Sequence, residues 1–125
     1  MRVVDSVGWI AYLSGESLAA DYAPHIADLG DIVTPSIVVY EVYRRLRRDL
    51  SANAAYVGIS PLYRTQIVTL DARLALAAAE LSAGHKLPMA DAIVYATAQS
   101  YGALLVTSDA HFEGLPGVEY VPPRS

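Results

Sequence analysis

The sequence of 125 residues contains no cysteine, one lysine and no long uninterrupted apolar run. The absence of cysteine excludes disulfide bonds and thiolate metal sites. The apolar stretch in the second half of the chain is broken by Pro88, Asp91 and Gly102, so we expect no membrane-spanning segment. The N-terminus lacks the basic and apolar regions of a signal peptide. These absences together predict a soluble, cytoplasmic protein.

What the sequence does contain is enough apolar material for a core, since 54% of its residues are hydrophobic. That content excludes disorder, and a chain of this length corresponds to about one domain, which we predict to span residues 1–125. The net charge of −4 argues against broad affinity for nucleic acids. The basic residues are nevertheless clustered, because four of the eight arginines lie in the segment "EVYRRLRRDL".

Hydrophobic periodicity and turn residues predict strands that alternate with helices. Ser17 and Asp71 are predicted helix caps, Gly84 a helix end, and Pro88 a first-turn residue of the helix that follows it. The predicted strands are 2–5, 31–35, 65–70, 103–109 and 118–121, and the predicted helices are 6–13, 17–29, 36–49, 51–62, 72–84 and one from 88 onward. This alternation predicts an α/β fold with a central, mostly parallel sheet between two layers of helices. Such sheets place their functional sites at the carboxyl ends of the strands.

Four acidic residues stand alone among apolar neighbours. Asp5 and Asp109 each close a predicted strand, and Glu41 lies within the apolar helical run "SIVVYEVY". Asp91 lies in the first turn of its helix and is the only charged residue between Lys86 and Asp109. A buried, unpaired carboxylate costs several kcal/mol, and convergence on a divalent cation removes that cost. Carboxylates without cysteine or clustered histidine suit Mg²⁺ or Mn²⁺.

Each acid also has a simpler explanation. Asp5 can cap the first helix and Asp109 can cap the turn that follows it. Glu41 can pair with Arg45 one helical turn later, and Asp91 can interact favourably with the dipole of its own helix. Because four such coincidences are less plausible than one shared site, we favour the metal centre.

Other polar residues give weaker signals. Thr107 and Ser108 precede Asp109, where their hydroxyl groups can contact substrate or hold a metal-bound water. The histidines show no ligand spacing and are interpreted as surface or locally hydrogen-bonded residues; they are His25, His85 and His111.

Three segments carry a resemblance to a known family. They are "VVDSVGWIAYL", "TPSIVVYEVYRRLRR" and "LPMADAIVYATAQSYGALLVTSDAHFEGLPGVEY", and together they cover most of the chain. The sequence resembles a PIN-domain ribonuclease and, within that family, a VapC-type toxin of a toxin–antitoxin pair. Asp5, Glu41, Asp91 and Asp109 match the four acidic positions of the family. Thr107 matches the hydroxyl residue that often stands two positions before the last acid.

The resemblance implies Mg²⁺-dependent hydrolysis of RNA phosphodiester bonds, with Mn²⁺ as an alternative ion. It implies that Asp5, Asp91 and Asp109 ligate the metal, and that Glu41 ligates it or helps to deprotonate the attacking water. It also implies an RNA substrate, a homodimer, a cognate VapB-type antitoxin, a larger assembly of the two proteins and no membrane.

The arginine cluster is less specific than the acids. Arg45 and Arg48 follow Glu41 at steps of four and three, so on a helix they extend one face away from it. That face can hold RNA phosphates on the approach to the site. A solvated helix face and a docking surface for a protein partner are equally compatible with the pattern.

Two other functions were compared with the nuclease. A catalytically silent PIN-like scaffold that binds RNA or protein would not need all four acids. A Mg²⁺-binding receiver domain needs an acidic pair after its first strand and a late lysine. This chain has the single Asp5 and no lysine after Lys86, which disfavours a receiver.

Overall fold

The structure is a computed structural model that describes residues 1–124. Within these residues, each of the first three strands is followed by two helices, and the last two strands follow the last helix. The strands are β1 (Arg2–Val4), β2 (Val33–Pro35), β3 (Gln66–Val68), β4 (Leu104–Thr107) and β5 (Val118–Tyr120). The helices are α1 (Ser6–Ser14), α2 (Ala19–Ile26), α3 (Ser36–Asp49), α4 (Ala52–Gly58), α5 (Ala72–His85) and α6 (Met89–Ser100).

All strand pairs among the described residues are parallel. Strand β4 lies between β1 and β5, while β2 pairs with β3. An isolated parallel bridge between Arg2 and Ile32 joins the two groups next to β1. In the register of the first pair, Val4 lies opposite Val106, so β1 and β4 end side by side. The carboxyl ends of these two central strands therefore form one edge.

The central strands β1, β2 and β4 are largely buried, which requires helices on both faces of the sheet. Val3, Val33 and Leu105 on three different strands have no exposed surface, which is typical of parallel strands covered on both faces. Helix α1 packs on α2 and α3, and α5 packs on α6, which also contacts β1, β2 and β4. This arrangement confirms the predicted α/β fold with a parallel sheet between helices. None of the helices in residues 1–124 is long and apolar enough to cross a membrane.

The close approach of α1 to α2 depends on a glycine. Tyr22 on α2 is completely buried, and its ring lies directly over Gly8 on α1. A Cβ atom at Gly8 would lie 2.3 Å from the nearest Tyr22 ring carbon, which is closer than atoms can approach. The absence of a side chain at this position therefore allows α2 to pack against α1 beside the end of β1.

Several predicted boundaries were wrong. Helix α2 begins at Ala19, and its cap position is held by Leu18 without a side-chain hydrogen bond, so Ser17 is not a cap. Helix α5 continues through Gly84 and ends where Lys86 adopts a left-handed conformation, with φ of 56°. The helix predicted over residues 51–62 is divided into α4 and a 3₁₀ turn over Ser60–Arg64, because Pro61 lacks the N–H needed to continue α4.

A smaller difference concerns the first residue of α6. Helix α6 begins at Met89, with Pro88 in the cap position rather than in the first turn. A 3₁₀ turn over Ala110–Phe112 follows β4. Ser125 lies outside the described residues.

Candidate active site

Two of the predicted acids lie at the common edge formed by β1 and β4. Asp5 directly follows β1, and Asp109 comes two residues after β4. The backbone N–H of Asp5 donates to the carbonyl of Val106 at 3.0 Å, which extends the β1–β4 pairing to the acid itself. The parallel register therefore brings together two carboxylates that are far apart in the sequence.

Thr107 connects these two acids. Its hydroxyl donates to Oδ2 of Asp5 at 2.8 Å and accepts the backbone N–H of Asp109 at 3.0 Å. The other carboxylate oxygen of Asp5 accepts the N–H of Ser6 at 2.8 Å, so Asp5 also caps α1. Burial raises the pKa of Asp5, the hydrogen bonds from Thr107 and Ser6 lower it, and the negative charge of Asp109 raises it.

Asp91 meets Asp109 around a histidine. The Nδ1 atom of His111 lies 2.9 Å from Oδ2 of Asp91 and 3.0 Å from Oδ1 of Asp109. That oxygen of Asp109 also accepts the backbone N–H of His111 at 2.9 Å, which closes the turn after β4. One potential metal-ligating atom from each of the three side chains lies within 4.8 Å of the others.

The surroundings of Asp91 favour its protonated form. Burial, followed by the negative charge of Asp109, raises the pKa of Asp91 from 3.8 to about 6, although its hydrogen bond to His111 acts in the opposite direction. The pKa of His111 is raised in turn by its hydrogen bond to Asp91 and by the charge of Asp109. The Nδ1 atom of His111 therefore lies between two carboxylates, where a positive charge on the ring is stabilised.

Glu41 approaches this cluster from α3. It is half-buried, and its pKa is raised by burial and by the negative charges of Asp5, Asp91 and Asp109. Glu41 forms no ion pair with Arg45 within residues 1–124, because Arg45 pairs with other acids, Asp49 and Glu16. Asp5 and Glu41 lie outside the 4.8 Å group, but their charges act on the same site.

The donor set fits a divalent cation. Carboxylate oxygens are the preferred ligands of Mg²⁺ and Mn²⁺, and an imidazole nitrogen is acceptable to Mn²⁺. The pKa values of Asp5, Glu41 and Asp91 are all raised, in part by neighbouring carboxylates. Mutual repulsion of this kind is relieved when a cation is bound between the groups.

Comparison with known families identifies the architecture around these acids. The sequence model of the PIN domain matches residues 2–118, which is nearly the whole chain. The chain belongs to the PIN domain family. A search of curated proteins found no match for this sequence.

Solved structures with the same fold include several toxin–antitoxin components. A toxin–antitoxin complex from Klebsiella pneumoniae is 24% identical, with a TM-score of 0.80, and the match covers 95% of this chain and 96% of that one. VapC20 from Mycobacterium tuberculosis, described as a toxin that cleaves the sarcin–ricin loop, is 20% identical, with a TM-score of 0.76 and complete coverage of both chains. VapBC2 from Rickettsia felis, bound to promoter DNA, is 16% identical, with a TM-score of 0.74 and coverage of 95% of this chain and 97% of that chain. At these identities the similarity shows a shared fold.

The hydroxyl groups of Thr107 and Ser108 form hydrogen bonds within the protein. Thr107 has no exposed surface, and its hydroxyl both donates and accepts within the site. The Ser108 hydroxyl lies 2.6 Å from the hydroxyl of buried Tyr22. Both hydroxyl groups therefore have partners within the protein, and their contact with substrate or a metal-bound water stays a prediction.

The predicted arginines lie beside the acidic cluster. A cleft of about 400 Å³ between α1 and α3 is lined by Glu41 and by three arginines of α3, namely Arg44, Arg45 and Arg48. Arg45 and Arg48 both donate to Asp49, at 2.8 and 3.0 Å. These pairs hold the pKa of Asp49 below its usual range.

His111 is the site residue that sequence reasoning missed. Histidine ligands are recognised by spacing within one element, whereas His111 meets Asp91 across 20 residues and two elements. The available signal was the pair Asp109 and His111 two residues apart at a predicted strand end.

Proposed function

We propose that this PIN domain is a metal-dependent endoribonuclease of the VapC type, which hydrolyses RNA phosphodiester bonds and is neutralised by a cognate antitoxin. The observation that carries the proposal is the convergence of Asp5, Glu41, Asp91 and Asp109 on one edge of the sheet, where the charge of each acid affects others. An acidic cluster of this kind favours cation-assisted chemistry over a purely structural role.

The negative charge of the proposed substrate explains why a cation is needed. A phosphodiester is an anion, and four carboxylates alone would repel it. We assign Asp5, Asp91 and Asp109 as the ligands of Mg²⁺ or Mn²⁺, with His111 close enough to join them. When bound, the cation would supply positive charge for the phosphate and lower the pKa of a water molecule.

The remaining groups orient the site and handle protons. Thr107 and the backbone of Ser6 hold the two oxygens of Asp5 at 2.8 Å each, which fixes the carboxylate without rotamer freedom. Glu41 is half-buried with a raised pKa, so its carboxylate is a stronger base than that of an exposed glutamate. We assign Glu41 as the group that receives a proton from the attacking water.

The proposed partners follow from the structural neighbours. Two of those neighbours are complexes of a toxin with its antitoxin. We therefore propose a VapB-type antitoxin that covers the acidic site, a homodimer as the active form, a larger toxin–antitoxin assembly, and action in the cytoplasm, where RNA is available.

A cleavage assay tests the nuclease directly. Purified protein is incubated with labelled structured RNAs, such as transfer RNA and ribosomal RNA loops, in Mg²⁺, in Mn²⁺ and in EDTA. We expect cleavage that requires a divalent ion and falls by orders of magnitude in Asp5→Asn, Asp91→Asn and Asp109→Asn proteins that remain folded. Near-normal cleavage by both Asp5→Asn and Asp91→Asn would contradict the proposed site.

The alternative is a catalytically silent PIN scaffold that binds RNA or protein. It is supported only if the protein binds RNA or an antitoxin but never cleaves, with every ion and RNA tested. The four acids argue against it, since a scaffold gains nothing from carboxylates that repel both one another and RNA.

A further inference from the structure

The cleft between α1 and α3 contains an aromatic side chain and an arginine that the proposed catalytic chemistry does not use. Ser6 and Ile10 line its α1 wall, and Tyr40, Glu41 and the three arginines line its α3 wall. Glu41 is therefore shared between this cleft and the acidic site. An RNA strand with a phosphate at the acids can therefore extend directly into the cleft.

Within the described part of the chain, two of the three arginines form ion pairs with acids and the third does not. Arg45 pairs with Asp49 and Glu16, and Arg48 pairs with Asp49. Arg44 forms no ion pair within residues 1–124 and is exposed. Its guanidinium is therefore the one among these three arginines that is not held in an ion pair within residues 1–124, and a guanidinium is well suited to bind phosphate.

Tyr40 is an exposed aromatic residue in the same cleft. Its relative exposure is 62%, although the side chain is large and apolar. No aromatic ring pairs with Tyr40 among the described residues. An open aromatic face beside a cation is the combination with which proteins bind unstacked nucleotides, because every base can stack on it.

The helix aligns these groups. Tyr40, Arg44 and Arg48 are four residues apart, so they form one row along α3 that is about 12 Å long. Glu41 follows Tyr40 directly and faces the acids. The row therefore begins next to Glu41, which the cleft shares with the acidic site, and Arg44 lies one turn further along.

We propose that Tyr40 and Arg44 form a binding subsite for an unpaired nucleotide next to the scissile phosphate. The base stacks on the Tyr40 ring and the adjoining phosphate binds Arg44. This inference rests on the proposed nuclease function and adds to it two residues that hold the nucleotide beside the scissile phosphate.

The test measures RNA binding separately from cleavage. In an Asp109→Asn background with Mg²⁺, a fluorescein-labelled single-stranded oligoribonucleotide of mixed sequence and an RNA duplex of equal length are titrated at several salt concentrations. We expect Tyr40→Ala to weaken single-strand binding about tenfold and Tyr40→Phe to retain it, since stacking needs the ring only. Duplex binding should be insensitive to Tyr40.

The arginine is tested through its salt dependence. Arg44→Ala should weaken binding and lower the slope of log K against log[salt] by about 0.7, the value for one phosphate contact on a single strand. Arg47 is the matched control, because it is exposed on the same helix, has no ion pair within residues 1–124 and does not line the cleft. Tyr56, which is 68% exposed on α4, is the control for Tyr40.

The outcomes separate this inference from the function on which it rests. If the unsubstituted protein cleaves RNA but Tyr40→Ala and Arg44→Ala bind like Tyr56→Ala and Arg47→Ala, the subsite is overturned and the nuclease stands. If RNA is bound through Tyr40 and Arg44 but is not cleaved, the nuclease fails and the subsite stands. Variants that lose only a protein partner, with unchanged RNA affinity, would overturn the subsite in favour of a protein-docking surface.

Discussion

Thr107 donates its hydroxyl hydrogen to Asp5 across 2.8 Å, although the two residues are 102 positions apart in the chain. Thr107 has no surface exposed to solvent. Because the same hydroxyl accepts the N–H of Asp109, one side chain fixes the relative positions of two acids. The pairing of β1 with β4 is thus the structural cause of the acidic site.

Removing this hydroxyl should weaken the site without changing its shape. In Thr107→Val, Asp5 loses a stabilising hydrogen bond in a buried position and the Asp109 N–H loses its acceptor. We expect the free energy of unfolding to fall by about 1–3 kcal/mol and cleavage to fall at least tenfold, while Thr107→Ser retains most of both. Chemical denaturation and RNA cleavage measure the two effects. Full activity in Thr107→Val would show that Asp5 does not depend on this contact.

Tyr22 and Ser108 provide a second support for the segment that carries Asp109. Their hydroxyls are 2.6 Å apart and buried, and burial raises the pKa of Tyr22 to about 12. Tyr22→Phe leaves the Ser108 hydroxyl without this partner and should cost about 1–3 kcal/mol. In the double variant Tyr22→Phe/Ser108→Ala both partners are removed, so the loss should be smaller than the sum of the single losses.

The double-mutant cycle separates positioning from packing. If the hydrogen bond positions the Asp109 segment, RNA cleavage should fall in both single variants even at temperatures where they are fully folded. Gly8→Ala is the packing control, because its added Cβ would collide with the Tyr22 ring. Additive losses of stability with unchanged cleavage would make Tyr22 a core residue only.

Features encoded by local patterns could be predicted from the sequence. Helix α3 has the predicted bounds, because a 3.6-residue apolar period and a basic final turn specify it locally. The placement of Asp5 and Asp109 at strand ends was also predictable, since parallel strands end at one edge. The simpler explanations of these two acids also hold, because Asp5 caps α1 and Asp109 caps the 3₁₀ turn that follows it.

Features that depend on tertiary contacts could not be predicted. The preference of Ser17 for a cap position is worth only about 1 kcal/mol, and the helix begins instead where Tyr22 and Ile26 can be buried. His111 enters the site because α6 places Asp91 against the turn after β4. The pairing of Arg45 with Asp49 and Glu16, rather than with Glu41, likewise follows from how α1 and α3 pack.

The arginines with acidic partners carry a prediction of their own. If Arg45 and Arg48 also hold RNA phosphates, Arg45→Ala/Arg48→Ala should weaken RNA binding and flatten its salt dependence, with a smaller effect on cleavage at saturating RNA. Stability should change little, because exposed ion pairs contribute about 0–1 kcal/mol. Salt-dependent binding titrations decide the question. An unchanged slope would indicate a solvated helix face or a partner-docking surface.

Asp91 should destabilise the metal-free fold at neutral pH. Folding raises its pKa from 3.8 to about 6, so the folded protein binds this proton more tightly than the unfolded chain does. The protonated Asp91 carboxyl group therefore stabilises the folded state fully below pH 3.8, and this stabilisation is lost as the pH rises through about 6. In EDTA, we expect the melting temperature of the parent to fall relative to that of Asp91→Asn across this range. Above it, the variant should be at least as stable as the parent.

Added Mg²⁺ should reverse that order if Asp91 is a metal ligand. Binding to the folded state alone stabilises it by RT ln(1 + [L]/Kd), so the parent should gain more than Asp91→Asn, which has lost a ligand. A role limited to the helix dipole predicts something different, because losing the charge would then cost about 0.3–1 kcal/mol with or without metal. Thermal melts of both proteins in EDTA and in millimolar Mg²⁺ distinguish the two roles. A variant that is less stable in EDTA and gains as much from Mg²⁺ as the parent would make Asp91 a structural residue, and the proposed metal site would then lose its central ligand.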